Sequence, residues 1–266
     1  MVDKSGVSHP RKDVLERPRD RAAEVEDLLV SRELAREPSR DRVGYRATWL
    51  ARYEHGLDEA DERLKRVEAE LVEEALRRRG LWGSVQGYLD IGTCTGRYLR
   101  HLRDAIAPAG RIVGIDNNVE SILTTREKLR RAHRDDSRIA VLLRDFRHAD
   151  SPIPGAPFDL VTCMMSTISH FGKNRQPSFE DPLQGTLRRM SDLLAGGGLL
   201  VLSFWSRQAC EARDLLSIYD RRDRESLAAW TPGPDELRRR LAATGLAVSE
   251  SLQPDPRLEL WLCRHR

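Results

Sequence analysis

Tyr88-Leu89-Asp90-Ile91-Gly92-Thr93-Cys94-Thr95-Gly96-Arg97-Tyr98-Leu99 begins as an apolar strand, breaks into a turn of small residues and resumes at helical spacing. A strand, a glycine turn and a helix start make a place where a ligand can approach bare backbone N–H groups. Gly92 can take backbone angles closed to residues with a Cβ, and Gly96 lets the helix lie close to the strand. Further on, Arg111-Ile112-Val113-Gly114-Ile115 is a second apolar run ending in Asp116, with Asn117 beside it. A carboxylate at the tip of a second strand is placed to accept hydrogen bonds from both hydroxyls of a ribose. Together the two features point to a nucleoside-containing ligand; neither would do so alone.

Outward from this stretch, strand and helix patterns alternate, as in a parallel sheet with helices on both faces. The spacing predicts strands over residues 87–91 and 111–116, with a helix to about 107 and a turn at Pro108-Ala109-Gly110 between them. A helix over 119–133 and a buried strand over 139–143 follow, the strand leading into Arg144-Asp145-Phe146. Pro157-Phe158-Asp159-Leu160-Val161-Thr162-Cys163-Met164-Met165 reads as a fourth strand, continuing into Ser166-Thr167-Ile168-Ser169-His170-Phe171. Residues 172–181 read as a loop and 182–194 as a helix. Ala195-Gly196-Gly197-Gly198 reads as a tight turn before a fifth strand over 199–205. Residues 207–229 are an insertion with Tyr219 inside it and Trp230 at its end. A helix opens at Pro232-Gly233-Pro234-Asp235-Glu236, where proline and acids suit a first turn. Two strands, over 246–252 and 258–263, end the pattern.

Residues 1–40 mix charges of both signs with Pro10, Pro18 and Pro38, and are expected to be a flexible segment. Within them, Val25, Leu28, Leu29 and Leu34 allow one short amphipathic helix. Residues 41–84 are expected to form a helical cap. Tyr45, Trp49 and Tyr53 fall on one helical face by i,i+4 spacing, either packing into the core or walling a substrate pocket. Leu64, Val67, Leu71, Val72, Ala75 and Leu76 give a second amphipathic helix, ended by Gly80 and Gly83.

A chain of 266 residues, 39% hydrophobic and 33% charged, has room for one α/β domain plus an extra segment. No apolar run approaches the roughly twenty residues that span a bilayer, and the first residues lack a secretory pattern. A cytoplasmic protein with no membrane partner is expected. Cys94, Cys163, Cys210 and Cys263 are far apart, without metal-type spacing, so no metal is expected and reduced thiols are. A net charge of +3 and a pI near 8.8 are too mild to argue for nucleic acid. Runs such as Arg77-Arg78-Arg79 and Arg238-Arg239-Arg240 suit solvated helix ends.

At Asp90, Gly92 and Gly96 the chain resembles the class I S-adenosylmethionine-dependent methyltransferases. Their first motif is an acidic residue followed by three glycines at alternate positions, and Cys94 stands where the middle glycine usually is. The Asp159-Leu160-Val161 approach to the fourth strand and the Leu194 to Leu199 glycine turn resemble later motifs. The resemblance covers residues 85–266. It implies a seven-stranded, mostly parallel Rossmann-like sheet with an antiparallel hairpin at its edge, and S-adenosyl-L-methionine as cofactor. It further implies that Asp90, Gly92, Thr93, Cys94 and Gly96 surround the methionine part, and that Asp116 with Asn117 holds the ribose. Asp145 would accept from the exocyclic amine, Phe146 would pack on the adenine, and Met164 would border the methyl group. The rival dinucleotide reading fails on GTCTGR, which lacks G-x-G-x-x-G.

Methyl transfer from a sulfonium is an in-line displacement, so the protein mainly aligns the partners and excludes water. An amine or hydroxyl acceptor can need a base. His170, just past the fourth strand, is the first candidate; Tyr45 and Tyr53 are the alternatives. His170 could instead shape the pocket through backbone hydrogen bonds, and Ser166, Thr167 and Ser169 either orient an acceptor or cap the turn. The expected function is methyl transfer to a small molecule, an amino acid or natural-product intermediate, by a monomer or homodimer. The alternatives are a cyclase using the same cofactor, an RNA or protein methyltransferase, and a non-catalytic S-adenosylmethionine-binding module.

Overall fold

The computed structural model describes residues 59–132, 136–147, 153–171, 181–206, 231–256 and 258–266. The expected helix within the first forty residues, the Tyr45–Trp49–Tyr53 stripe, residues 172–180 and the insertion with Tyr219 and Trp230 lie outside them.

Helix α1 (Glu59–Arg78) comes first, followed by β1 (Val85–Ile91), the single-turn helix α2 (Arg97–His101) and a 3-10 turn (Arg103–Ala105). Then come β2 (Ile106–Asp116), α3 (Val119–Ala132), β3 (Ile139–Leu143), β4 (Phe158–Cys163), α4 (Thr167–Phe171) and α5 (Pro182–Leu193). The remaining elements are β5 (Leu194–Trp205), α6 (Pro234–Ala242), β6 (Leu246–Asp255) and β7 (Leu258–His265). The strands form one sheet in the order β3-β2-β1-β4-β5-β7-β6. β1 to β5 pair in parallel, and β7 runs antiparallel to both β5 and β6.

Strand alternation assigns the two faces. Leu89, Ile91, Val113, Ile115, Val161, Cys163, Leu200, Leu202 and Trp261 join one buried cluster with Leu183, Leu187 and Met190 of α5 and Leu237 and Leu241 of α6. Their neighbours Tyr88, Asp90, Thr162 and Ser203 point to the opposite face, where α1 packs. Helix α1 buries Leu64, Val72, Ala75 and Leu76 as its apolar spacing predicts, leaves Val67 and Leu71 half-buried, and also buries Lys65, Glu68 and Ala69. Its end is fixed by Gly80 at φ 66, with Gly80 N bonded to Arg77 O at 3.0 Å and Leu81 N to Leu76 O at 2.9 Å. Arg78 and Arg79 then grip Glu250 of β6 at 2.7 and 2.6 Å.

Two expected turns are instead bulged strand starts. Ile106 pairs with Val85 and Arg111 with Gly87; likewise Leu194 pairs with Phe158 and Leu199 with Leu160. Pro108-Ala109-Gly110 and Ala195-Gly196-Gly197-Gly198 are the looped-out residues between these pairs. In both places a Cβ on the last glycine would sit against neighbouring backbone oxygens, Val85 O at 2.8 Å for Gly110 and Ala195 O at 2.9 Å for Gly198. The pairing of Ile106 with Val85 also ends the first helix at His101, short of the expected 107. Local helical spacing loses there to a cross-strand partner.

Candidate functional site

The site lies at the carboxyl ends of β1 to β4. After β1 the chain turns on Gly92 and Gly96, both at φ 73. The amides of Gly92 and Thr93 both bond to Ile115 O, at 2.8 and 3.0 Å. Cys94 takes the left-handed conformation as well, at φ 49. It occupies the middle-glycine place in glycine's conformation, and two contacts hold it there. Its N–H donates to Asp116 Oδ2 at 2.8 Å, and its carbonyl accepts from Thr125 Oγ1 at 2.7 Å. Burial pushes that thiol's pKa up, so Cys94 is a shaped backbone position here rather than a nucleophile.

Asp116 ends β2. Its Oδ1 accepts from Asn118 N at 2.9 Å while Oδ2 holds Cys94, and Asn117 N–H also bonds it. The two carboxylate oxygens offer about four lone-pair sites, so these three bonds leave about one for a ligand. Asn118 caps α3 through Oδ1, which accepts from Ser121 N at 2.8 Å.

Asp90 is buried under the loop. Thr162 Oγ1 donates to its Oδ1 at 2.7 Å, and Tyr88 OH lies 3.0 Å from the same hydroxyl. Its Oδ2 has no partner among the described residues, nor has the buried Thr93 Oγ1. An orphaned carboxylate oxygen in the interior is costly unless a ligand answers it.

Asp145, after β3, is gripped by Arg147: Nε lies 3.0 Å from Oδ1 and Nη2 2.5 Å from Oδ2. Phe146 is buried, 6.1 Å from the Phe171 ring, with the Arg189 guanidinium 4.9 Å over its face. Met164 follows β4 and is buried; Met165 and Ser166 then take φ 49 and 61. His170 is half-buried in the last turn of α4.

Glu68, Asp90 and Asp116 each feel the next carboxyl across these elements. Burial raises Glu68 to about 7, with Asp90 adding repulsion. Burial raises Asp90 to about 6, with Asp116 adding repulsion. Burial raises Asp116 to about 6, with Asp145 adding repulsion. Such coupling disfavours an anionic ligand and favours a cation.

The structure thus brings Asp90, Gly92, Thr93, Cys94, Gly96, Asp116 and Asn117 to one loop cluster, with Asp145, Phe146 and Met164 after the next strand ends and His170 on α4. Tyr45 and Tyr53 lie outside the described residues. Glu68 was missed in the sequence, although it interrupts the apolar run from Leu64 to Val72 at helical spacing.

Residues 89–200 match the family model described as a methyltransferase domain. The sheet order and the solved structures below agree with it. That stretch is a methyltransferase domain, and its fold is the one of S-adenosylmethionine-dependent methyltransferases. Its fold is shared with the CcbJ methyltransferase of Streptomyces caelestis, at 17% identity and TM-score 0.55, over 73% of this chain and 88% of that one. The N-methyltransferase NodS of Bradyrhizobium japonicum WM9 is similar at 19% identity and TM-score 0.54, over 78% and 98%. Magnesium protoporphyrin IX methyltransferase ChlM of Synechocystis PCC 6803, solved with bound SAH, is similar at 14% identity and TM-score 0.57, over 85% and 98%. No curated protein matches this methyltransferase in sequence. Its cofactor is S-adenosylmethionine, and the residues present fit that molecule. An unpartnered buried oxygen on Asp90 suits an ammonium, and the coupled acids suit a ligand carrying both an ammonium and a sulfonium. No described helix is long and apolar enough to cross a membrane.

Proposed function

We propose that this methyltransferase acts on a small-molecule acceptor, an amino acid or a natural-product intermediate, in the cytoplasm. The observation that carries the site assignment is the glycine loop after β1 closing on the end of β2, with Cys94 N–H bonded to Asp116 Oδ2 at 2.8 Å and the buried Asp90 Oδ2 left without a partner among the described residues. Asp116 and Asn117 take the ribose, and Asp145 and Phe146 take the adenine. Asp90, Thr93 and the backbone of Gly92, Cys94 and Gly96 take the methionine part. S-adenosylmethionine bound there supplies a methyl group already activated on a sulfonium. Met164 borders that end of the site and helps exclude water, and His170 is placed to hold a proton from the acceptor. Residues 85–266 form the cofactor-binding body, and 41–84 cap it through α1. Support for a small acceptor comes from the fold shared with NodS and ChlM, together with the mild net charge of +3.

The test is calorimetric titration of the chain with S-adenosylhomocysteine, with NAD in parallel. Binding of the first and not the second is expected. Asp116→Ala should weaken it by about 1–3 kcal/mol, since charge-assisted hydrogen bonds are removed. Unchanged affinity in that variant would overturn the ribose assignment. Mass spectrometry of products with candidate amines then separates methyl transfer, which yields S-adenosylhomocysteine, from cyclisation, which yields methylthioadenosine.

A further inference from the structure

Glu68 sits fully buried in an otherwise apolar stripe of α1. Burying a carboxyl is expensive, and a leucine at this position would avoid that cost. Three other elements meet on this acid. The Tyr98 hydroxyl of α2 donates to Oε2. The Met165 amide, in the turn after β4, reaches Oε1 at 3.4 Å. Ser203 of β5 also hydrogen-bonds the carboxyl.

The turn it touches is strained. Met165 and Ser166, at φ 49 and 61, are consecutive non-glycine residues in the left-handed region, a conformation unfavourable for any residue with a Cβ. Such geometry persists only where the surroundings over-determine it. Most of the restraint comes from the sheet and α4. Met165 N bonds to Ser203 Oγ at 2.7 Å, and Ser166 N to Ser203 O at 3.0 Å. Ser166 Oγ accepts from Trp205 N at 3.2 Å and pairs with Ser169 Oγ at 2.7 Å. Ser169 Oγ in turn meets Thr231 Oγ1 at 2.9 Å. Glu68 adds a restraint from a helix 97 residues away in sequence.

We propose that Glu68 is a positioning residue that pins the Met165 amide from the α1 side, so that seating α1 sets the turn carrying Met164. The pinning stands on the hydrogen bonds alone. Its effect on ligand binding rests on the reading of the site given under Proposed function.

The experiment compares the full chain with Glu68→Leu and Glu68→Gln, by amide hydrogen exchange at Met165 and Ser166 and by calorimetry with S-adenosylhomocysteine. Leucine fills the space without an acceptor; glutamine keeps an acceptor oxygen and loses the charge. Glu68→Leu is expected to speed exchange at both amides at least tenfold and to weaken binding about tenfold. Glu68→Gln is expected to stay within threefold of the parent in both. Unchanged exchange in a folded Glu68→Leu chain overturns the proposal, as does equal loss in both variants. Where Glu68→Leu does not fold, Tyr98→Phe is read instead: exchange at Met165 rising about threefold supports the pin, and no change overturns it. The exchange measurement needs no ligand. It therefore distinguishes failure of the pin from failure of the site assignment, which would show as no binding by the parent chain.

Discussion

Gly92 joins the first loop to the start of α4, and the contact can be tested by a double-mutant cycle. A Cβ built on Gly92 would lie 2.4 Å from Thr167 Cγ2, 2.7 Å from Thr167 Oγ1 and 3.1 Å from Thr167 Cβ. Gly92→Ala therefore meets two separate penalties. The left-handed backbone at φ 73 costs an alanine about 1–2 kcal/mol whatever the space around it. The overlap with Thr167 adds about 1–3 kcal/mol of overpacking. Thr167→Ala removes Cγ2 and Oγ1, the two nearest atoms, and leaves only the contact at 3.1 Å. The pair should thus recover most of the overpacking cost and none of the backbone cost. Urea unfolding of the parent, both single variants and the double variant would show a coupling of about 1–3 kcal/mol, with the double variant still about 1–2 kcal/mol below Thr167→Ala. A coupling under about 0.5 kcal/mol would refute the close approach. A double variant fully restored to the Thr167→Ala level would refute the backbone strain.

Asp90 and Asp116 are both raised to about 6, by burial first and then by a neighbouring carboxylate; Asp90 must be ionised to hold the ammonium, and Asp116 must be ionised to give the ribose a charged acceptor. Affinity for S-adenosylhomocysteine should rise as pH goes from 5 to 7; a flat calorimetric profile over that interval would count against both roles. Glu68, raised from 4.5 to about 7, contributes stability that is complete below 4.5 and is lost as pH climbs through 7. Between pH 4.5 and 7 the parent should lose on the order of 3 kcal/mol relative to Glu68→Gln in urea unfolding; parallel stability curves would contradict this. Cys94→Val puts a β-branched residue at φ 49 and should cost at least about 1 kcal/mol, while Cys94→Gly should be tolerated. Thermal midpoints of the two variants decide it.

Much of the sheet was legible because its strands are apolar runs bounded by turn residues. Residues 139–143 read as a strand and are one, since nothing nearby competes. The starts of β2 and β5 were not legible, because their first pairs are made across a bulge with Val85 and Phe158. Gly92, Gly96 and Asp116 could be singled out because a glycine turn and a strand-end acid are local signals. The left-handed Met165–Ser166 pair carries no glycine and is enforced by Ser203, from a later strand. Nothing local in the sequence marks Glu68 or Lys65 as buried. What buries Glu68 is Tyr98, 30 residues on, together with Met165 and Ser203. Asp145 read as open to a ligand, yet Arg147, two residues away, already grips it.

The antiparallel strand β7 occupies an interior place in the sheet, between β5 and β6, although it follows both in sequence. During synthesis β5 is therefore made long before its outer neighbour. From Leu200 to Trp205 the backbone donors and acceptors on its edge away from β4 wait unpaired until Leu258 to Cys263 emerge. Strand β6 must meanwhile be held about 10 Å from β5, two strand spacings away, leaving a slot for a strand not yet made. An unfilled slot of this kind is an open template for another chain. For this methyltransferase, nascent-chain self-association and the need for chaperoning are set by the time between release of β5 and arrival of β7, more than by the strength of any contact in the finished fold.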